Sequence, residues 1–264
     1  MTDVPPIELG SALFSLVEPH AGCAREFNRW YERDHFYAGC MVGPGFFAGR
    51  RWVATRAMKQ LRMSDGPPTL PEGRGSLLVL YWILAGQHQE TVDWAVTRVQ
   101  QLHRQNRMNP ARDNISTNFY QHHWSVSRDA DGVRPELALD HPFAGLSVML
   151  VEPGPDSDTE AFEARCREHV LPNWLPDSPL SLLLCMAPEP LPEGAPGNVK
   201  HATETSSVPP LLWLGFMDRA PDSFWAESMS GLATSLRSDV GGRLTWAAPF
   251  VPTVPGTDTY MDEL

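Results

Sequence analysis

The residues of this chain best suited to chemistry stand together in one stretch, Tyr31-Glu32-Arg33-Asp34-His35. Histidine, with an ordinary pKa of about 6.5, can take and return a proton near neutral pH. A neighbouring carboxylate can fix its tautomer. Phe27, Tyr31, Asp34, Ala38 and Met41 recur at intervals of three and four, the period of a helix with one buried stripe, which places Asp34 on the apolar side. An ionised carboxylate turned toward a core is costly unless it is paired. Arg50 and Arg51, on the strand expected next, are its expected partners. The pattern has two readings. One is a salt-bridged structural pair. The other is an acid/base site with catalytic residues His35, Asp34 and Tyr31, where Arg50 or Arg51 neutralises an enolate or carboxylate.

Further candidates lie downstream. His122 and His123 are adjacent on an expected strand, so their side chains should point to opposite faces and only one can enter a cavity. Tyr120 and Trp124 should share the face of His122. Adjacent strand residues cannot close on one ion, and no metal site is expected from them. Of the nine tryptophans, Trp52, Trp82, Trp124, Trp213 and Trp246 fall on expected strands. Large aromatics are core residues by default. Any that line a cavity, Trp52 and Trp82 among them, would suit a flat apolar ligand with a polar handle. His169 stands beside Glu168 much as His35 stands beside Asp34. Both histidines also suit helix ends, where an imidazolium is favoured by the helix dipole.

The elements that must position these groups follow from hydrophobic patterning. Ser11–Val17 reads as a buried strand, and the Glu26–Met41 helix ends at Gly43-Pro44-Gly45. Phe46–Val53 is a strand, and Met58–Arg74, with three prolines, is a loop. Ser76–Ala85 is a continuous apolar strand, Val92, Val96, Val99 and Leu102 mark a second helix, and Ser116–Ser127 is a fourth strand. The order strand, helix, strand, strand, helix, strand is the ferredoxin-like pattern. It then repeats. Val17-Glu18-Pro19 recurs as Val151-Glu152-Pro153, an offset of 134 residues (151 − 17). At the same offset Asp34-His35 meets Glu168-His169, and Leu77, Leu78 and Leu80 meet Leu211, Leu212 and Leu214. Residues 1–128 are expected to form the first repeat, 129–141 a linker and 142–264 the second repeat. Pro188–Pro210 reads as a lid or a surface loop. Pro249, in the final strand, should sit at an edge or bulge.

The pattern F-x-x-W-Y-x-x-D-H, then P-G-F and G-R-R, is carried here by Phe27, Trp30, Tyr31, Asp34, His35, Pro44-Gly45-Phe46 and Gly49-Arg50-Arg51. It resembles the EthD-like branch of the dimeric α+β barrel superfamily. The resemblance implies an α+β fold in which two ferredoxin-like βαββαβ repeats build, within one chain, a barrel that relatives build by dimerisation. The cavity between the sheets would then be the small-molecule site. Superfamily members include small polyketide cyclases, decarboxylases, lactone isomerases and cofactor-free monooxygenases. A few relatives bind haem through a histidine, a role open to His35, His123 or His169.

Composition bounds the function. With 42% hydrophobic and 20% charged residues the chain is that of a globular protein, and a net charge of −11 argues against general nucleic-acid binding. Cys23, Cys40, Cys166 and Cys185 show no zinc-ligand spacing and read as free thiols in a reducing compartment. No apolar run approaches a membrane span, and a cytoplasmic protein is expected. Dinucleotide, Walker, G-x-S-x-G and H-E-x-x-H motifs are absent. The expected function is therefore a lyase, isomerase or cyclase needing no nucleotide or metal cofactor. It would act on an aromatic or polyketide-like carbonyl compound through His35, with Arg50, Arg51, Trp52, Trp82, His122, His123 and His169 as the substrate-binding set. A homodimer is compatible with this reading. The alternative is a non-catalytic small-ligand binding or accessory protein, with a haem enzyme as the minor one.

Overall fold

The computed structural model describes residues 7–154, 157–193 and 209–264. Eight antiparallel strands close into a barrel. The first half supplies β1 (Leu9–Pro19), β2 (Phe46–Val53), β3 (Leu77–Leu84) and β4 (Arg112–Ser127). Its helices are α1 (Ala24–Trp30), a short α2 (Arg56–Gln60) that runs into the start of the segment expected to be loop, and α3 (His88–Arg104). The second half supplies β5 (Gly145–Glu152), α4 (Thr159–Arg165), α5 (Leu171–Trp174), β6 (Leu182–Pro188), β7 (Leu211–Met217), α6 (Ser223–Val240) and β8 (Arg243–Pro252).

Around the barrel the order is β1-β3-β2-β8-β5-β7-β6-β4. Each half is thus a ferredoxin-like sheet, and the two join at both edges, second strand to fourth. The intrachain barrel expected from the sequence is what forms. Its two seams differ. β4 and β6 pair from Tyr120↔Pro188 to Ser127↔Leu182, whereas β2 and β8 pair only at Trp52↔Pro252 and Val53↔Val251. Ala247 exchanges both backbone hydrogen bonds with Met63, on the side of β8 away from β5. Pro249, two residues on, therefore turns its missing N–H toward this poorly laddered seam, where a proline removes no ladder bond.

The barrel is filled rather than hollow. Phe14, Trp52, Trp82, Tyr120, Phe143, Phe216 and Trp246 pack with leucines and valines from both sheets, each 2% exposed or less. Two arginines close over this core. Arg50 donates to the carbonyl oxygens of His141 and Phe143 and lies 4.7 Å over the Trp52 ring. Arg62 donates to the carbonyls of Glu72, Arg74 and Gly75 and lies 5.3 Å from the Trp246 ring. Both arginines tie their charge to backbone dipoles. Ala138 and Leu139, from the segment expected to be a linker, enter the same core.

On the outer faces the helices cover each sheet. The first helix leaves α geometry after Trp30. Tyr31–His35 and Tyr37–Met41 are π-helical, and the wider turn changes which residues face inward. Gly39 and Cys40 are buried there in place of Ala38 and Met41, and Asp34 lies at the side, not on the apolar stripe. The second half carries the same feature at Cys166–Val170.

The duplication holds with one adjustment. Strand pairs match at the expected offset: Val17 faces Leu77 as Val151 faces Leu211. The first helices are displaced by one further residue, for Ala24–Trp30 and the following π turn correspond to Thr159–Arg165 and its π turn. Burial follows this alignment. Phe27, Asn28 and Tyr31 are buried in one half, Phe162, Glu163 and Cys166 in the other. His35 therefore corresponds to Val170, and His169 to Asp34. The match of His35 with His169 is corrected by an extra residue between β5 and α4.

Candidate functional site

The pocket that contains His35 lies on the outer face of the first sheet, not inside the barrel. Its floor is Leu13, Ser15 and Val17 of β1 with Arg112, Asn114, Thr117 and Phe119 of β4. One wall is Tyr31, His35, Gly39 and Cys40 from the π-helical segment. The other is Ala95, Val96, Val99 and His103 of α3, and Leu191 and Pro192 border it. The cavity measures about 130 Å³. The intersheet cavity is corrected accordingly, because tryptophans and phenylalanines occupy the barrel interior.

His35 makes no hydrogen bond among the described residues, and its Nδ1 is enclosed without a partner. The ring is stacked on Trp30 at 4.6 Å between centroids and meets Tyr31 edge-on at 5.1 Å. Gly39 makes room for it, since a Cβ there would stand 2.8 Å from His35 Cε1. Burial, and next the positive charge of Arg112, push the His35 pKa down to about 3, with Asp34 opposing. His35 is therefore a neutral imidazole at physiological pH, with Nε2 as the nitrogen left to meet a ligand.

Asp34 does not orient it. Its carboxylate is held by Arg107, with Nη2 on Oδ1 and Nε 3.3 Å from Oδ2. The expected pairing with Arg50 or Arg51 is corrected: the π turn carries Asp34 toward the loop after α3, whose Arg107 carbonyl also accepts from Trp30 Nε1 at 2.8 Å. Tyr31 is buried, its hydroxyl 3.2 Å from that of Tyr81. Burial raises the pKa of both phenols and pushes the Cys40 thiol up to about 12, so all three keep their protons.

Arg50 and Arg51 line a separate groove of about 650 Å³ with Arg29, Glu32, Arg33, Tyr37 and the segment after β8. Arg51 is ion-paired with Glu32 at 3.0 Å and lies 4.9 Å over the Tyr31 ring. Neither arginine reaches His35's pocket. The cation there is Arg112, which the sequence reading missed. Trp52 and Trp82 are barrel core, and Trp82 Nε1 donates to the Pro135 carbonyl at 3.0 Å.

A β-bulge at His123 changes the expected faces on β4, since His122 opposes Met186 while Trp124 opposes Cys185. Tyr120 consequently points into the barrel and Trp124 into the helix-covered core of the second half. They do not share a face. His122 bonds Ser125 Oγ at 2.7 Å. His123 Nδ1 is 2.8 Å from Oε1 of the buried Glu163, whose other oxygen accepts from Trp124 Nε1 at 3.0 Å. His169 is exposed, with its nearest carboxylate, Glu168, at 3.9 Å. None of the three joins His35.

The second half is an internal control for the pocket. Following strand register and helix alignment, Ser15 becomes Met149, Gly39 becomes Trp174 and Ala95 becomes Met229. Tyr81 becomes Gly215, against which Leu180 packs. On the fourth strands Leu13↔Phe119 matches Ser147↔Pro249, and the bulged Ile115 matches Thr245, so Arg112, Asn114 and Thr117 become Gly242, Leu244 and Ala247. Met149, Trp174, Leu180 and Met229 are buried in one continuous core. The same space is thus packed shut in one half and left open, with polar walls, in the other.

No protein-family description and no characterised protein matches the chain. Three solved structures are similar to it in fold. One is a candidate chlorite dismutase at 12% identity and TM-score 0.53, covering 97% of this chain and 100% of that one. Another is a candidate DyP-type peroxidase from Shewanella oneidensis at 7% identity and TM-score 0.52, covering 98% and 99%. The third is an anthrone oxidase-like protein at 10% identity and TM-score 0.49, covering 94% and 95%. The first two share its fold, an antiparallel barrel of two ferredoxin-like halves. Resemblance to the EthD-like branch is not distinguished from resemblance to these. Among the described residues no group of three or more His, Cys, Asp or Glu could hold a metal ion, and no helix is long and apolar enough to cross a membrane.

Proposed function

We propose that the chain is an enzyme that activates a small carbonyl compound in the pocket of its first half. The lyase, isomerase or cyclase class needs only hydrogen bonding and proton transfer for this. The observation that carries the reading is His35: a neutral imidazole with no hydrogen-bond partner among the described residues, backed by Trp30 and Gly39, in a pocket that the other half fills. A histidine with a lowered pKa is a good electrophile, because its neutral N–H can donate to a carbonyl oxygen as that oxygen gains charge. Asp34 is held by Arg107 and does not bond to His35, and the positive charge near the reacting oxygen is that of Arg112. The apolar walls exclude water and favour a flat substrate body. The fold neighbours carry enzyme names, which agrees with catalysis without specifying a reaction.

Haem fails the fit. The cavity beside His35 is well under the roughly 300–1,000 Å³ of ordinary ligand pockets, His123 is bound to Glu163, and His169 is exposed on a helix.

Enolisation has a direct readout. In deuterated water the wild type should accelerate deuterium uptake at the α-carbon of a small aryl ketone, followed by NMR, and His35→Gln should lower the rate at least tenfold. Binding of the ketone without accelerated exchange would support the alternative, a non-catalytic binding protein.

A further inference from the structure

The pocket holds a cation with no anion among the described residues to balance it. Arg112 is half-buried on the pocket floor, and burial lowers its pKa. Its guanidinium donates to the Asn109 carbonyl and lies 5.5 Å from the Trp30 ring and 5.9 Å from that of Phe27. Among the described residues it makes no ion pair, and no Asp or Glu lines the pocket. Asp34, on the helix that carries His35, is engaged by Arg107, and Asp113, next in sequence to Arg112, by Arg74 and His20. Elsewhere in the chain buried arginines are compensated, Arg51 by Glu32 and Arg62 by three carbonyl oxygens.

Arg112 is also peculiar to the open half. Its counterpart is Gly242, against which the Phe162 ring packs. The pocket's neutral polar groups stand beside it: Ser15 Oγ is 2.8 Å from Thr117 Oγ1, which donates to Asn114 Oδ1 at 2.8 Å. A guanidinium offers two parallel donors matched to a carboxylate. In a chain of net charge −11, a local surplus of positive charge selects the sign of the ligand in this pocket.

We infer that the pocket's ligand is a small aromatic or otherwise apolar carboxylate, its anion held by Arg112 and its apolar body against Val17, Ala95, Val96, Val99 and Phe119. This rests on the reading of the pocket as the ligand site and adds the substrate's charge. The carbonyl turned to His35 and the carboxylate turned to Arg112 would then belong to one molecule.

The test is calorimetric titration of the full chain with benzoate and with its neutral isostere benzamide. Benzoate should bind at least tenfold more tightly. Arg112→Met should remove the preference, and Arg112→Lys should retain part of it. Equal affinities for the two probes, no binding of either, or a preference unchanged in Arg112→Met would overturn the proposal. The benzoate–benzamide comparison needs only the wild type, so it stands even if a variant fails to fold. Preference for benzoate without ketone exchange would remove catalysis and leave the anion site. Exchange without preference would do the reverse.

Discussion

His35 is costly to keep, and the cost has a pH signature. Its folded pKa of about 3 lies below the unfolded value of 6.5, so between these values the unfolded chain binds more protons and stability falls as pH falls. Above about pH 7 the penalty is absent. At pH 5 it reaches up to about 2 kcal/mol, taking 1.36 kcal/mol per pKa unit. Urea titrations at pH 7.5 and 5 should therefore show His35→Leu losing less stability on acidification than the wild type by about that amount. An equal loss in both proteins would mean that the ring is solvated. Gly39 belongs to the same small machine. Gly39→Ala places a methyl 2.8 Å from the imidazole, and since Trp30 stacks on that ring, overpacking should cost about 1–3 kcal/mol. Unfolding midpoints and benzoate titration should fall together. Little of this site detail was legible in the sequence. The motif marked Tyr31 and His35, but the pairing of Asp34 with Arg107 and the entry of Arg112 depend on contacts between segments that no spacing rule connects.

At the scale of elements, the π-helical turns explain why the helical stripe misled. The positions three and four apart predict burial for an α-helix, and the inserted turns shift the phase to Gly39 and Cys40. Strands were read more accurately because alternation and apolar runs are local, with the bulge at His123 the exception: a bulge is set by the partner strand and leaves no composition signal. The first helices also carry matched buried polar residues. Asn28 Nδ2 donates to the Thr257 carbonyl at 2.9 Å and Glu163 holds His123 and Trp124, so each helix grips the segment following the other half's last strand or that strand's end. Glu163→Gln presents an amide N–H to a site built of donors. It should cost about 1–3 kcal/mol in urea unfolding, the range for a buried donor left unpaired. A change below about 0.5 kcal/mol would show that the carboxylate is replaceable by solvent.

At the scale of the molecule, the duplication was legible because the strands preserve their spacing, and closure followed from two sheets that each had a face to bury. What the sequence did not convey is that barrel interior and ligand pocket are different places. Bulky aromatics on strands suit either, and only packing tells them apart. The unequal seams make a further prediction. Hydrogen exchange should be faster at Val53 and Val251 than at Trp124 and Val126, because the β2–β8 ladder has two residue pairs and the β4–β6 ladder runs the length of β6. Protection of equal size at both seams would contradict that order. The central claim, that one half keeps the pocket the other has filled, is tested most directly by backbone NMR of the full chain titrated with benzoate. Shifts concentrated at Tyr31–Cys40, Ala95–Val99 and Arg112–Phe119 are the predicted result. Shifts concentrated instead at Val170–Leu175 and Met229–Ala233, or at the barrel-lining Trp52, Trp82 and Trp246, would contradict it.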